Sequence, residues 1–442
     1  MAKTLTHKWI VSLLALVVSG CATEPCAPFT PADPALSAFY DRLSALERGA
    51  GSHRLRILHL GDSHIAGDRF SGSLQRRFSA RFGDAGRGQL PPGKPFPYYG
   101  REGISVDASD GWTIFSSLSG VGVGPFGLSG YRAESASSED WMSLTLEGGV
   151  PLQKITLNVL QQPGGGSLSL DVDGRPGKRF ETNGVAPRLM QVTVEAPMAR
   201  RVLVRPTGDG PVSLLGWGGE GAGPGIVYET QGIPGATLRV MDAWDARIVA
   251  AELAALQPDL ILLGYGTNEG FDDALDVGLY RATLERRVEM LKAQLPNATI
   301  LLLGAFDGAR LPAWAELRPS TQAASLSALP CEPLALHERA TYASLSGGQD
   351  PVLGRWHGPP RLKDVQDVQK GVARTQGLAF WDGAAAMGGA CVIHDYVFSE
   401  PPLAYGDHVH LTPAGADLMA AKLWDKLIGP YEALVCRRRL AS

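Results

Sequence analysis

The sequence predicts an α/β fold with a doubly wound parallel sheet, interrupted by an inserted β-sandwich. Two textures along the chain support this prediction. Before about residue 95 and after about residue 222, apolar strands alternate with segments of helical periodicity, which is typical of a parallel sheet covered by helices on both faces. Between them, short segments of alternating polar and apolar residues recur about every ten residues, as in antiparallel sandwiches.

The domain organisation follows from these textures. The chain has 442 residues, enough for more than one hydrophobic core. We expect a signal peptide, a tether, an α/β domain built from two separate segments and a short tail, with the β-sandwich between the two segments. The boundaries are 1–20 (signal), 21–34 (tether), 35–94 (first α/β segment), 95–222 (insert), 223–436 (second α/β segment) and 437–442 (tail).

The composition excludes two classes of protein. Hydrophobic residues make up 44% and charged residues 19%, which is normal for a folded chain and unlike a disordered one. The formal net charge of −4 provides no general basic field for binding nucleic acid. The composition leaves the oligomeric state open.

The N-terminus has the pattern of an export signal. Lys3 and Lys8 precede an apolar run, 9–18, that is too short to span a bilayer. The run ends in Val-Ser-Gly-Cys21, which resembles the lipobox of bacterial lipoproteins. This resemblance implies that Cys21 is lipidated and, with Ala22 after it, that the protein is anchored in the periplasm at the outer membrane. The alternative is an ordinary cleavable signal with an incidental cysteine.

Four cysteines besides Cys21 are left for disulfide bonds in an oxidising compartment. Three pairings are possible, and the sequence does not choose among them. No Cys-x-x-Cys pair or Cys/His cluster has zinc spacing, so we expect no structural metal. These four cysteines are Cys26, Cys331, Cys391 and Cys436.

The secondary structure places two polar motifs. Leu55 to Leu60 reads as a buried strand, and the helix after it, through Phe82, is expected to use Asp68 as its N-cap. Between this strand and this helix lies Gly61-Asp62-Ser63, a turn where a serine hydroxyl can be exposed to a ligand. Near the other end, Asp407 and His410 precede the last helix. A nucleophilic serine needs such a base and a carboxylate that orients the base.

Two further pieces lie between these motifs. Asn268 follows the predicted strand Leu260 to Leu263 and could direct its amide N–H toward a developing oxyanion. Gly235 lies in a glycine-bearing turn that follows another predicted strand and can offer a free backbone N–H. All four pieces are expected to follow strands, so we expect them to meet at the carboxyl end of one sheet.

These four blocks resemble those of the SGNH, or GDSL-type, hydrolase superfamily. The resemblance implies a flavodoxin-like three-layer fold and a serine ester hydrolase that needs no cofactor or metal. It assigns catalysis to Ser63, Asp407 and His410, and the oxyanion hole to Ser63, Gly235 and Asn268. The export signal, the large insert and Met387-Gly-Gly resemble bacterial peptidoglycan O-acetylesterases, in which the insert looks like a jelly-roll-like carbohydrate-binding module.

The resemblance predicts removal of O-acetyl groups from peptidoglycan strands through an acetyl-enzyme. The alternative is an acyltransferase, or an esterase for another acetylated polysaccharide. Block one has His64 where leucine is usual, and block three has Glu269 where aspartate is common. Block two lacks its usual asparagine, which leaves Gly232 as an alternative oxyanion donor to Gly235.

Several other side chains have ordinary interpretations. We expect His64 to make a structural hydrogen bond at its turn, and His408 to have no metal partner. Three tryptophans of the β region could stack on sugars, but burial in the sandwich core is the commoner role. These are Trp112, Trp141 and Trp217.

Overall fold

A computed structural model describes residues 33–49, 54–316 and 329–441. The predicted signal peptide, most of the tether, Cys21 and Cys26 lie outside the described residues. Within the described ranges, no helix has the length and apolar character needed to cross a membrane.

A six-stranded parallel sheet forms the centre of the α/β domain. Each strand runs parallel to its neighbours, and the strand that ends before Ser63 lies inside the sheet. This confirms the predicted doubly wound sheet. The spatial order is Ala379–Trp381, Thr299–Leu303, Leu260–Gly264, Arg54–Gly61, Gly225–Gly232 and Asp84–Gly86. The edge strand Asp84–Gly86 was not predicted, because three residues, one of them glycine, are too few to show an apolar period.

Helices cover both faces of this sheet, which gives three layers. Leu43, Phe78 and Leu423 pack in the apolar core on one face, whereas Leu253 and Leu284 belong to the core on the other. The helices of the first face are Ser37–Glu47, Phe70–Phe82 and Pro413–Ala441; those of the second are Ala246–Leu256, Val277–Gln294 and Leu362–Gln376. Short α-helices are Ser63–Ala66, Thr267–Gly270, Ala313–Glu316, Leu336–Ala340, Tyr342–Gly347, Gly383–Met387 and Val392–Val397, and 3-10 turns are Pro34–Leu36, Ser117–Ser119, Val121–Val123, Leu238–Ala243 and Pro351–Leu353.

The expected N-cap of the helix Phe70–Phe82, Asp68, is wrong. The helix begins at Phe70, and Arg69 occupies the N-cap position without a side-chain hydrogen bond. Asp68 has a positive φ of 53°, and its carboxylate accepts the backbone N–H of Glu102 and pairs with Arg87. The Asp68 carboxylate, which the sequence pattern assigned to the helix N-terminus, therefore forms a long-range ion pair instead.

The insert consists of two antiparallel sheets around a separate core. Trp217 is fully buried in this core and donates its indole N–H to the Pro91 carbonyl, and Trp112 is buried there too. One sheet contains Arg175–Glu181, Ser167–Val172, Arg201–Pro206, Met142–Leu146 and Ile104–Ala108; the other contains Arg188–Ala199, Leu152–Gln161, Val212–Gly221, Tyr131–Ser135 and Thr113–Ser116, with Gly88–Leu90 beside Val212–Gly221. Two of the three tryptophans thus have the structural role, and Trp141 is half-buried.

A buried carboxylate joins the insert to the α/β domain. Glu252 lies on the helix Ala246–Leu256 and accepts hydrogen bonds from the backbone N–H of Leu128 and the side-chain amide of Asn158, both in the insert. Burial raises the pKa of Glu252 to about 7. These contacts fix the insert against the helical layer, because a buried acceptor left without its donors is costly.

Candidate active site

Ser63 sits at the first position of a short helix that follows the central strand. Asp62 caps this helix by accepting the backbone N–H of His64 at 3.0 Å. Gly61 makes the sharp turn possible, because a Cβ there would lie 2.3 Å from Ile65 and 2.4 Å from the carbonyl of Gly264. The N–H of Ser63 is at a helix N-terminus, where it has no partner within the helix.

The three residues expected to form a triad lie within hydrogen-bond distance. The Ser63 Oγ is 2.9 Å from the His410 Nε2, and the His410 Nδ1 is 2.7 Å from the Asp407 Oδ2. The other Asp407 oxygen accepts the backbone N–H groups of Val409 and His410, each at 3.0 Å. The loop therefore holds its own carboxylate in the orientation that His410 requires.

Asp407 remains ionised through its hydrogen bonds. Partial burial opposes the negative charge, but the donors from the His410 ring and from the loop backbone together lower the pKa of Asp407 to about 2. An ionised Asp407 can only accept, so it fixes the His410 tautomer with the proton on Nδ1. The Nε2 atom is then free to accept the Ser63 proton.

The expected position of the Asp407 block is wrong in one respect. We expected each of the four blocks to follow a strand, but this loop follows the helix Val392–Val397, well after the last parallel strand. It reaches the sheet edge by backbone hydrogen bonds, such as Ala309 N–H to the His408 carbonyl at 3.0 Å. The loop is thus placed by tertiary contacts that local pattern does not reveal.

The candidate oxyanion donors surround the same edge of the sheet. The Asn268 amide nitrogen donates to the Ala236 carbonyl at 2.9 Å, which leaves its second N–H available. Gly235 is exposed with φ +75°, and its N–H has no hydrogen-bond partner among the described residues. Gly232 is different: it is buried, and a Cβ there would meet Ala66 at 2.3 Å. Exposure and a free N–H therefore favour Gly235 over Gly232.

Glu269 contributes to this edge, although sequence reasoning treated it only as a departure from a pattern. Its Oε1 accepts the backbone N–H of Leu238 at 2.7 Å, which ties the Asn268 helix to the segment after Gly235. Burial raises the pKa of Glu269 to about 7. The sequence carried one signal for this role, a carboxylate directly after the candidate oxyanion donor Asn268. A glutamate side chain is longer than the usual aspartate and can reach a neighbouring loop.

His64 makes the structural hydrogen bonds that we expected at its turn. Its Nδ1 is 3.2 Å from the Asp62 Oδ1, and its Nε2 is 3.1 Å from the Val409 carbonyl oxygen. The ring stacks against His410 with centroids 5.5 Å apart. His64 therefore connects the Ser63 turn with the loop that carries His410.

His408 stabilises the other side of this loop. Its ring stacks on Trp356 with centroids 3.5 Å apart, and its Nε2 is 3.0 Å from the His394 Nδ1. Cys331 forms an isolated β-bridge with Trp356, and Cys391 precedes the helix that carries His394. A disulfide joins these two cysteines. His408 thus packs as a structural residue. In the described part of the chain, no three His, Cys or acidic side chains are grouped to hold a metal ion.

The sequence and the fold of this chain are similar to those of known proteins. The GDSL-like Lipase/Acylhydrolase family model matches residues 213–418, which include Gly235, Asn268, Asp407 and His410 but not Ser63. A solved structure described as a peptidoglycan O-acetylesterase in action is 25% identical, covers 91% of this chain and 99% of its own, and has a TM-score of 0.70.

Other solved structures are much less similar. A family two carbohydrate esterase from Cellvibrio japonicus is 13% identical and covers 75% of this chain and 99% of its own, with a TM-score of 0.25. A GDSL-like lipase from Parabacteroides merdae is 17% identical and covers 47% and 74%, with a TM-score of 0.28. No curated protein matches the sequence. The family match and the first structure confirm the resemblance seen in the sequence: the chain carries a GDSL-like lipase/acylhydrolase domain and is a carboxylic ester hydrolase.

Proposed function

We propose that this esterase removes O-acetyl groups from peptidoglycan glycan strands through an acetyl-enzyme on Ser63. The observation that carries the chemistry is the continuous hydrogen-bonded line from the Ser63 Oγ through the His410 ring to Asp407. The substrate is supported by the peptidoglycan O-acetylesterase, whose similarity extends over 91% of this chain and therefore includes the insert.

The reaction proceeds in two halves. The Ser63 Oγ attacks the acetyl carbonyl while His410 Nε2 takes the hydroxyl proton, and collapse of the tetrahedral intermediate breaks the ester bond as His410 returns the proton to the sugar oxygen. Water then attacks the acetyl-enzyme, His410 takes its proton, and acetate leaves as that proton returns to Ser63. Asp407 stabilises the imidazolium in both halves.

The oxyanion of each tetrahedral intermediate is bound by neutral donors. The N–H groups of Ser63 and Gly235 and the second N–H of Asn268 supply these hydrogen bonds. One such donor typically contributes about 3 to 4 kcal/mol to the barrier reduction. Nothing in this sequence of steps needs a metal or a cofactor.

Acetate release from O-acetylated peptidoglycan tests the proposal. We expect the wild-type enzyme to release acetate and Ser63→Ala to lose roughly 10⁶-fold in kcat, as for removal of a triad serine elsewhere. Ser119→Ala, at an exposed serine of the insert, should keep wild-type activity. If the wild-type enzyme releases no acetate from this polymer but cleaves a small aryl acetate, the protein is an esterase but the proposed substrate is wrong.

The same acetyl-enzyme could pass its acetyl group to a sugar instead of water. The His410 side chain is 42% exposed, so water can reach the base as hydrolysis requires. Product analysis with an acceptor glycan present separates the two: free acetate supports hydrolysis, and an acetylated acceptor identifies a transferase. Faster acetate release from a different acetylated polysaccharide would identify an esterase with another substrate.

We also propose that the protein is a lipoprotein, anchored through Cys21 in the periplasm at the outer membrane. The lipobox-like sequence before Cys21 supports this location, and peptidoglycan lies within reach of such an anchor. Mass spectrometry of the mature N-terminus should find a diacylated Cys21, and Cys21→Ala should move the protein from the membrane fraction to the soluble one. An unmodified N-terminus after cleavage would contradict the anchor.

A further inference from the structure

The hydrogen bonds of His64 require more protons than a neutral imidazole has. Its Nδ1 faces the Asp62 Oδ1, and its Nε2 faces the carbonyl oxygen of Val409. The Asp62 Oδ1 already accepts the His64 backbone N–H, so it acts as an acceptor, and a carbonyl oxygen can only accept. A neutral ring carries one N–H and would leave one of its nitrogens facing an acceptor. With Asp62 ionised, only the doubly protonated ring satisfies both contacts.

The surroundings of His64 stabilise this charge. The side chains of His64 and Asp62 are only 6% and 2% exposed, so a protonated His64 forms a buried ion pair with Asp62. Phe306 packs its ring edge-on against His64, and the titratable groups that face it are Asp62, Asp407 and the stacked His410. Burial alone would lower the pKa of His64, but the hydrogen bond and charge of Asp62, the Val409 carbonyl and the charge of Asp407 raise it.

We propose that His64 is a positioning residue that stays protonated in the working enzyme and clamps the Asp407–His410 loop to the Ser63 turn. The clamp acts through Val409, the neighbour of His410, and so sets the distance between the His410 Nε2 and the Ser63 Oγ. This inference rests on the proposed roles of Ser63 and His410, and it is independent of which glycan the enzyme cleaves.

The clamp predicts a particular pH dependence. When His64 loses its proton at alkaline pH, one of its two donors disappears, and the loop is held by a single hydrogen bond. A small misplacement of a catalytic group can cost up to about 100-fold in rate. The wild-type enzyme should therefore lose kcat on the alkaline side, whereas KM for a small ester should stay nearly constant because the His64 side chain is only 6% exposed.

Hydrolysis of p-nitrophenyl acetate by wild-type and His64→Gln enzymes tests the clamp. We expect His64→Gln to lower kcat by roughly 10- to 100-fold at neutral pH, with little change in KM, and to lack the alkaline decline. The matched control is His337→Gln at an exposed histidine, which should keep both the wild-type rate and the decline. Wild-type kcat in His64→Gln, or an alkaline decline identical to that of the wild type, would overturn the proposal.

A second measurement uses only the wild-type enzyme and so does not depend on the folding of a variant. Nitrogen-15 NMR of the wild-type enzyme, with the His64 ring assigned through its contacts with Val409 and Phe306, should show both ring nitrogens protonated at pH 7. A pyridine-like nitrogen on His64 at that pH would contradict the clamp. Failure of the proposed function is seen separately: p-nitrophenyl acetate hydrolysis that survives Ser63→Ala would refute the role of Ser63, and no acetate release from O-acetylated peptidoglycan would refute the substrate.

Discussion

Two carboxylate–imidazole pairs lie side by side in the active site, and they are built for different purposes. The side chains of His410 and Asp407 are 42% and 49% exposed, and the outer ring nitrogen faces a hydroxyl, which can both donate and accept. The pair of His64 and Asp62 is almost fully buried, and its outer nitrogen faces a carbonyl, which can only accept. The partner therefore decides the role: His410 can exchange a proton, whereas His64 must keep its own.

The largest effect should come from breaking the exposed pair. We expect Asp407→Asn to lower kcat by about 10⁴-fold, because an amide no longer holds the His410 tautomer or stabilises the imidazolium. The measurement is p-nitrophenyl acetate hydrolysis, with Asp110→Asn at an exposed aspartate as the matched control. Asp62→Asn should cost much less, since Asp62 acts only on position. Equal losses for the two pairs would remove the distinction drawn between them.

A smaller effect is expected at Asn268, on the electrophilic side of the site. Replacement by alanine removes an oxyanion donor and should lower kcat by roughly 10²- to 10³-fold with little change in KM. The readout is the kcat and KM of acetate release, with Asn297→Ala, at an exposed asparagine, as the control. A rise in KM at unchanged kcat would assign Asn268 to substrate binding instead.

The disulfide on the far side of the catalytic loop should matter more for stability than for rate. Cys331 and Cys391 are 60 residues apart in sequence, so a loss of about 2 to 4 kcal/mol in the free energy of unfolding is expected for the double serine variant. Urea denaturation measures this loss. Activity of the folded variant should remain within a few-fold, because the His64 clamp still holds the loop. A collapse of kcat in folded protein would shift the main support of the loop to His408.

The smallest effect is the pH dependence of stability that His64 contributes. Burial opposes its charge, but Asp62 and the Val409 carbonyl raise its pKa above 6.5, so the folded state holds the proton more tightly than the unfolded chain. This stabilisation is fully present below about pH 6.5 and is lost as pH rises through the raised pKa. The stability difference between wild type and His64→Gln should therefore shrink at alkaline pH. A difference that grows with pH would indicate a neutral His64.

The sequence predicted the parallel sheet and the main strands of the insert because both have strong periodicity. The strand Leu260–Gly264, for example, appears within one residue of its predicted bounds. Ser63, Asn268 and Gly235 could be placed near one another for the same reason, since each follows a buried strand. Their catalytic roles remain predictions, which the assays above test.

Other features depend on contacts between distant residues and were not predictable. The role of His64 depends on the Val409 carbonyl, 345 positions away, and Asp68 left its expected cap for an ion pair with Arg87. The two cysteines joined in the disulfide Cys331–Cys391 could have paired in other ways from sequence alone. In each case, the deciding partner is set by the fold and has no local signature.

The most direct test of the account is labelling with a fluorophosphonate that reacts with activated serines. Mass spectrometry of the labelled enzyme should find one adduct, on the peptide that contains Ser63, and both Ser63→Ala and His410→Gln should abolish the adduct. An unlabelled wild-type enzyme, or equal labelling of Ser63→Ala, would contradict the claim that His410 activates Ser63 for attack on an ester.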